Sequence, residues 1–332
     1  MDDRQFILSS SPHIHSEESI PRIMYAVVVA LIPGMFMGVY LFGPKALGIV
    51  VLSVVAGMAT EAGFQRMMGR KVTISDGSAM VTGILLALNL PPTVPWWLVV
   101  VGSAIAIVIG KQIYGGLGYN PFNPALAARV ILLISFPMQM TRWVKPSPLF
   151  SRAIDVVTMA TPLGEMKTHL LVKHTLEGFT MGGLWNPFIG NIGGCIGETS
   201  VIALLLGAGF LLYRGYITWH IPVTFIGTVF ILSGVFWLIN PARYINPIFH
   251  ILTGGLMLGA FFMATDMVTS PLTNRGMMVF GAGCGVITII IRLFGGYPEG
   301  VSYSILLMNA ATPLIDRYTR PTTFGWKEVS PR

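Results

Sequence analysis

The segment from Asp155 to Thr161 reads Asp-Val-Val-Thr-Met-Ala-Thr and lies in the one long polar stretch of an otherwise apolar chain. It offers two hydroxyl groups, on Thr158 and Thr161. Because a threonine oxygen can act as a nucleophile and carry a covalent group, the segment is a candidate attachment site. The structural alternative is an ordinary turn, in which a threonine before a proline such as Pro162 is common.

A second set of side chains is ionisable and lies in or beside apolar segments. Charged groups at membrane depth are costly and are usually paired or functional, so these residues are candidates for an ion pathway. We single out Asp76, Arg129 and Asp266, of which Arg129 lies in the middle of an apolar run. For three further residues the alternative is a side chain that snorkels from a helix end to the membrane surface, namely Lys111, Arg292 and Glu299.

The composition indicates the setting in which these groups work. The chain has 332 residues, of which 53% are hydrophobic and 11% are charged, whereas a soluble domain has about 25% charged residues. This composition is typical of a polytopic membrane protein. The 21 Lys and Arg residues outnumber the 14 Asp and Glu residues, but they lie between apolar runs and form no stripe that would indicate nucleic-acid binding. The two cysteines are far apart in the sequence and belong to no Cys/His metal motif.

About ten apolar segments predict an all-α integral membrane protein. The first, 23–42, has about the twenty residues that cross a bilayer, whereas 78–90 is too short and predicts a broken helix held inside the protein. The glycines and prolines of 115–124 predict a second break, in backbone that is buried or lines a cavity. The predicted segments are 23–42, 46–64, 78–90, 96–111, 125–136, 199–213, 217–239, 247–264, 277–291 and 301–315.

The cations predict the orientation of these segments. Arg66, Arg70 and Lys71 form a basic loop, and such loops are typically cytoplasmic. With an even number of spans both termini lie on one side, and the basic C-terminal tail places that side in the cytoplasm. We therefore expect cytoplasmic tails at 1–22 and 316–332, helical halves at 23–136 and 192–315, and an extracytoplasmic loop at 137–191. No cleavable signal peptide is expected, since the N-terminal residues are polar.

The two predicted halves resemble each other weakly. Thr82-Gly83 is echoed by Thr253-Gly254, and Gly115-Gly116 by Gly295-Gly296, each glycine pair following a basic residue within five positions. Halves with an odd number of spans have inverted orientations, as in many transport proteins whose sites lie where broken helices meet. The sequence thus predicts about ten transmembrane helices in two inverted five-helix repeats with broken helices.

The segment from Asp155 to Thr161 also resembles the acceptor pattern of covalent flavinylation. That pattern has Asp, two variable residues, Ser or Thr, a variable residue, Ala and Thr, and Met159 stands where Gly or Ser is usual. Further short motifs, spread in order along nearly the whole chain, resemble the D subunit of the Rnf complex, a relative of the B subunit of the sodium-pumping NADH:quinone reductase. They are Ser11-Pro12-His13, Asp76-Gly77-Ser78, the Gly118–Pro124 run, Ala160-Thr161-Pro162-Leu163, Gly197-Glu198-Thr199-Ser200 and Ala264-Thr265-Asp266 with Ser270-Pro271.

This resemblance implies a specific chemistry for the loop. FMN would be joined through its phosphate to Thr161 by a flavin transferase that recognises Asp155, Thr158 and Ala160. Thr199 is the second-choice acceptor, and its structural alternative is a hydroxyl at a helix N-terminus. An additional, non-covalent flavin is also compatible with the family.

The resemblance further implies a multi-pass component of the bacterial inner membrane that works with the A, B, C, E and G subunits of Rnf. The complex would pass electrons between ferredoxin and NAD+ and couple them to Na+ or H+ translocation, as a translocase whose subunits are not active alone. Two alternatives remain open from the residues themselves. One is an inverted-repeat solute channel or transporter without a redox role, and the other is a structural scaffold for redox partners.

Overall fold

The computed structural model of the chain describes residues 18–147, 158–173, 185–198 and 200–321. Within these ranges the protein is all-helical, and the only β-type pairing there is an isolated bridge between Val144 and Thr158. The predicted all-α class is therefore confirmed. The arrangement in two inverted repeats of about ten spans stays a prediction.

Between residues 18 and 135, five α-helices form the N-terminal part of the fold. Proline stands in the first turn of α1, α2 and α5, where its missing N–H is not needed. The side chain of Asn123 accepts hydrogen bonds from the N–H groups of Ala125 and Leu126 and so caps α5. A π-helical turn, Val108–Gln112, extends the fourth helix to the basic residue Lys111. The bounds are α1 Ile20–Phe42, α2 Pro44–Met67, α3 Ser78–Leu88, α4 Trp96–Ile107 and α5 Pro124–Ser135.

The middle of the chain, predicted as an irregular polar loop, contains three short helices in its described part. They are α6 Pro137–Met140, α7 Pro162–Lys173 and α8 Trp185–Ile189. The sequence pattern does not indicate α7, because its mixed polar and apolar residues lack the long apolar run by which a membrane helix is recognised.

The C-terminal part, described from residue 200 to 321, contains six helices, and one of its apolar segments is interrupted. Gly254 and Gly255 adopt left-handed φ angles of 72° and 67°, which glycine adopts without steric cost. These residues separate α11 from α12, and a π-helical turn, Gly259–Met263, follows. The bounds are α9 Val201–Tyr213, α10 His220–Ile239, α11 Pro247–Leu252, α12 Leu256–Leu258, α13 Asn274–Phe294 and α14 Val301–Thr319.

Four of the described helices are long and apolar enough to cross a membrane, namely α1, α2, α10 and α13. Four shorter apolar helices accompany them, at Ser78–Leu88, Trp96–Gln112, Pro124–Ser135 and Val201–Tyr213. Broken or short helices of this kind are stable at membrane depth when other helices surround them, because their end groups then find partners inside the protein.

The two parts of the fold meet where α1 crosses α9. At this crossing, a Cβ atom on Gly207 would overlap the carbonyl oxygen of Ala30, whereas a Cβ atom on Gly209 would meet open space. Small residues at helix crossings allow such close backbone approach in membranes.

We therefore expect Gly207→Ala to lower the free energy of unfolding by about 1–3 kcal/mol, as overpacking does in tightly packed cores. Gly209→Ala is the matched control and should leave it nearly unchanged. Denaturant titration of the protein in detergent micelles measures both. Equal effects of the two substitutions would contradict the close crossing.

Candidate functional site: a cavity between Thr161 and a buried arginine

Thr161 lies at the N-terminus of α7, where its side chain caps the helix. Its Oγ1 accepts a hydrogen bond from the N–H of Gly164 at 3.1 Å, and its carbonyl oxygen accepts one from the backbone N–H of Glu165 at 2.8 Å. The residue is only 5% exposed. The residue therefore caps a helix and does not form the ordinary turn given as the structural alternative, and its hydroxyl oxygen lies at the positive end of a helix dipole.

Helix α7 is held against the C-terminal part of the fold. Leu163 and Met166 pack on Phe249 of α11 in a small apolar cluster. Lys167 Nζ donates hydrogen bonds to the carbonyl oxygens of Gly295 and Tyr297, each at 2.5 Å, beyond the C-terminus of α13. Partial burial lowers the pKa of Lys167 below its ordinary value. These contacts fix the start of α7, and with it the Thr161 oxygen.

A cavity of about 250 Å³ opens beside Thr161. Its apolar and aromatic wall contains Trp143, Met159 and Tyr297, and its polar residues include Asn89 and Thr168. The remaining lining residues are Arg129, Leu133, Met140, Thr141, Ala160, Gly164, Pro298 and Glu299. Sites for flat organic ligands typically have this make-up, with an apolar wall and a few placed polar groups.

Arg129 is the centre of a buried polar cluster at this cavity. It is 7% exposed, and its Nη2 pairs with Glu299 in a short contact and with Glu198 at 3.5 Å. Its Nη1 donates to Asn89 Oδ1 at 2.8 Å and to Ser302 Oγ at 2.9 Å. One guanidinium thus joins α5 to the end of α3, to the segment before α9 and to the start of α14, which is the kind of forked bonding that arginine allows.

The segment before α9 also provides hydrogen-bond donors for the free carbonyl groups at the end of α3. The N–H groups of Ile196 and Gly197 donate to the carbonyl oxygens of Leu90 and Leu88, at 3.1 and 2.7 Å. A Cβ atom on Gly197 would meet Leu88 Cβ at 2.6 Å, so glycine is required for this approach. The broken backbone predicted at membrane depth is thus satisfied by hydrogen bonds inside the protein.

A second buried cluster surrounds Lys111. The side chains of Lys111 and Glu61 are 2% and 0% exposed, and Lys111 Nζ lies 2.6 Å from Glu61 Oε1. Gln112 donates to the same oxygen at 2.6 Å, and Lys111 also donates to Ser78 Oγ at 2.6 Å. Glu61 Oε2 has no hydrogen-bond partner among the described residues.

The two acidic residues singled out from the sequence lie near this second cluster. Asp76 accepts hydrogen bonds from the N–H and Oγ of Ser78, the first residue of α3, at 2.8 and 2.5 Å. Asp266 accepts from Thr269 Oγ1 at 3.1 Å. Asp266 and Lys111 both line a second cavity, of about 110 Å³, which is separate from the Thr161 cavity. Asp76 and Asp266 therefore lie away from Arg129, and the structure divides the predicted pathway residues into two groups.

Lys111 and Arg292 do not snorkel to a surface, which is the alternative considered for them. Lys111 is 2% exposed and Arg292 is 0% exposed. Arg292 Nη1 and Nη2 donate to the carbonyl oxygens of His250, Thr253 and Gly254, at 2.5, 3.0 and 3.1 Å. A cation at these carbonyls is favoured because they carry the negative end of the α11 dipole. Glu299, the third of the group, binds Arg129.

The remaining sequence predictions differ in how far the structure describes them. Thr158 is exposed and pairs with Val144, and Ala160 is exposed at the edge of the cavity. Asp155 and Thr199 lie outside the described residues. Glu61 and Glu198 are not among the site residues predicted from the sequence. The signal that could have identified them is a carboxylate within an apolar stretch, which requires a buried partner.

Comparison with known proteins places these residues in context. The model of the family described as "NQR2, RnfD, RnfE family" matches residues 7–325. The chain is 48% identical to the D subunit of the proton-translocating ferredoxin:NAD(+) oxidoreductase complex of Clostridium ljungdahlii, over 96% of both chains. It is 47% identical to the D subunit of the Na(+)-translocating ferredoxin:NAD(+) oxidoreductase complex of Acetobacterium woodii, over 99% of this chain and 98% of the other. It is 42% identical to the D subunit of the ion-translocating oxidoreductase complex of Cronobacter sakazakii, over 96% and 99%.

Proposed function

Because the chain belongs to the NQR2, RnfD, RnfE family, we propose that it is the membrane-embedded D subunit of an ion-translocating ferredoxin:NAD+ oxidoreductase complex and that it carries covalent FMN on Thr161. The protein passes electrons within the complex, coupled to the movement of Na+ or H+, and is not active alone. Its partners are the A, B, C, E and G subunits of Rnf, membrane lipid and, during maturation, a flavin transferase.

One observation carries the assignment of FMN to Thr161. Thr161 caps the N-terminus of a twelve-residue helix through its side-chain oxygen, and the same residue lines a cavity. A phosphate on this oxygen lies at the helix N-terminus, where backbone N–H groups and the dipole favour negative charge. The residues at the anchor therefore fit the phosphate of FMN.

The chemistry of the cavity lining also suits the ring part of the group. Trp143, Tyr297 and Met159 offer apolar and aromatic surface, while Asn89 and Thr168 offer polar groups at the same wall. Bound FMN supplies reversible uptake of electrons. The residues of this chain anchor the group, orient it and limit the access of water.

The burial of Thr161 bears on how the group is attached. At 5% exposure, the residue is almost closed to an enzyme while α7 is docked. Attachment therefore precedes docking of α7 or accompanies its release from Phe249 and from the end of α13. Asp155, Thr158 and Ala160 act in this step as the sequence that the transferase recognises, and Thr158 and Ala160 are both exposed.

We expect Thr161→Ala to abolish covalent flavin, because the acceptor oxygen is lost. The measurement is ultraviolet fluorescence of the denatured protein band after co-expression with a flavin transferase, with mass spectrometry of the peptide that contains Thr161. Thr168→Ala is the matched control, since this hydroxyl lines the same cavity, and it should keep the label. Loss of the label in Thr199→Ala but not in Thr161→Ala would move the site. Wild-type protein without label would support a solute transporter or a scaffold without flavin.

The additional, non-covalent flavin is proposed from the family alone, and no position is assigned to it. Extraction of the denatured protein separates the two groups, because only the covalent one stays with the polypeptide. A released flavin beside a retained covalent label is the result expected for a second group.

The orientation follows from the charges and from the family. We propose that the chain spans the bacterial inner membrane with both termini in the cytoplasm and the Thr161 loop on the extracytoplasmic side. Helix α2 packs on α4 in the first half of the chain, and α10 packs on α13 in the second half. Because the two contacts correspond, they support two inverted five-helix repeats. Cysteine labelling from either side, at single cysteines placed near Met68 and near Thr158, tests the proposed orientation.

A further inference from the structure

We propose that a groove on the outside of the Thr161 cavity binds the headgroup of an anionic phospholipid. The groove has a volume of about 660 Å³ and runs between the α1–α2 junction, the turn before α4 and the segment 142–147. It is a separate space from the two cavities described above. The proposal does not depend on the presence of a flavin.

The charge of the groove selects an anion. Lys45, Arg142 and Lys145 line it and are exposed. The described residues that line the groove include no Asp or Glu. Lys45 stands in the first turn of α2, a helix of 24 residues whose dipole adds positive potential at the same place. Three cations at a helix N-terminus attract a phosphate group, and basic pockets between membrane helices are suited to lipid headgroups.

The apolar part of the groove selects a lipid over a free phosphate. Leu41, Ile49 and Val94 form a buried floor, which contributes nothing to a small anion. Trp96, which is 72% exposed, stands at the rim, and tryptophan is enriched at the level of the headgroups.

The surface below the groove continues this pattern along α2. Leu47, Val51 and Val55 are 49%, 52% and 57% exposed. Their spacing of four residues places them on one face of the helix, one turn above the other. Acyl chains can therefore follow this face while the headgroup stays with the three cations at the top of α2.

The groove and the Thr161 cavity share one thin wall. In the segment 141–144, Thr141 and Trp143 line the cavity, while Arg142 and Val144 line the groove. This alternation is that of an extended chain. Val144 forms the bridge with Thr158, and the carbonyl oxygen of Trp143 accepts the N–H of Met159 at 3.2 Å. A lipid that binds Arg142 therefore also steadies the segment that leads to Thr161.

The test compares the full-length protein in nanodiscs that contain phosphatidylglycerol or phosphatidylcholine. After detergent washing, mass spectrometry measures the lipid that stays bound. Wild type should retain phosphatidylglycerol about tenfold over phosphatidylcholine, and the variant with Lys45→Gln, Arg142→Gln and Lys145→Gln should lose this preference, since each cation contributes to the attraction. The matched control replaces Arg66, Arg70 and Lys71 by Gln, which removes the same charge at exposed positions outside the groove, and should keep it.

The other outcomes would overturn the proposal. Equal loss in the control triple variant would show a general effect of net charge, and no preference in wild type would show that the groove does not select an anionic headgroup. Displacement of the lipid by inorganic phosphate at constant ionic strength would assign the groove to a free anion. Should the triple variant fail to fold, the single variant Lys145→Gln takes its place, with a partial loss of preference expected and an unchanged preference as the contrary result.

Discussion

Arg129→Gln is expected to lower the free energy of unfolding by about 3–5 kcal/mol, the range found when one partner of a buried ion pair is removed. Glutamine leaves Glu198 and Glu299 without their cation and cannot join Asn89 and Ser302 through one forked group. Arg129→Lys keeps the charge but loses the fork, so its effect should be intermediate. Denaturant titration in detergent micelles measures all three forms.

The control for this prediction is Arg142→Gln, since Arg142 is exposed and a surface charge contributes about 0–1 kcal/mol. The variant that combines Arg129→Gln with Glu299→Gln removes the cation and its short-contact partner together. It should be more stable than Arg129→Gln alone, because one buried carboxylate then no longer lacks a partner. Strict additivity of the two effects would contradict the pairing of these side chains.

The second large effect is expected at Lys111 and Glu61. Lys111→Met leaves the Glu61 carboxylate with only amide donors, and Glu61→Met leaves the ammonium of Lys111 with Ser78 Oγ as its remaining hydrogen-bond partner among the described residues. Each substitution should cost about 3–5 kcal/mol. The double variant should recover much of the loss, because replacing a buried pair by apolar groups of similar volume is often close to neutral.

An exposed ion pair provides the comparison. Arg22 and Glu18 lie 3.9 Å apart with side chains that are 50% and 42% exposed, and Arg22→Gln should change the free energy of unfolding by less than about 1 kcal/mol. The pairing of Lys111 with Glu61 is contradicted if the double variant loses as much free energy of unfolding as the two single variants lose together. In that case the two side chains contribute through separate contacts.

The helices could be predicted from the sequence because their signals are local. The apolar run of 23–42 anticipates α1, and the Asn-Pro pairs before α5 and α11 mark their first turns. Helix α7 could not be predicted from the sequence, because its stability comes from contacts with Phe249 and with the end of α13. Such contacts leave no periodic pattern within the helix itself.

The partners of the buried charges could not be predicted from spacing. Arg129 pairs with Glu198 and Glu299, which are 69 and 170 positions away, and Lys111 pairs with Glu61 at a separation of 50. No repeat of helix or strand relates residues so far apart. The cost of a lone charge at membrane depth does require some partner for each, and the ionisable positions evident in the sequence include Arg129, Glu299 and Lys111.

The attachment of Lys167 to the backbone beyond α13 has a mechanical consequence. Thr161 is carried by α7, which is fixed to α11 and α13, whereas Leu133 on the other wall belongs to α5 in the N-terminal part. A small rotation of one part against the other would therefore change the width of the cavity without moving Thr161 relative to α13. The cavity lies between the two parts of the fold, and its width would change with any displacement of one part against the other.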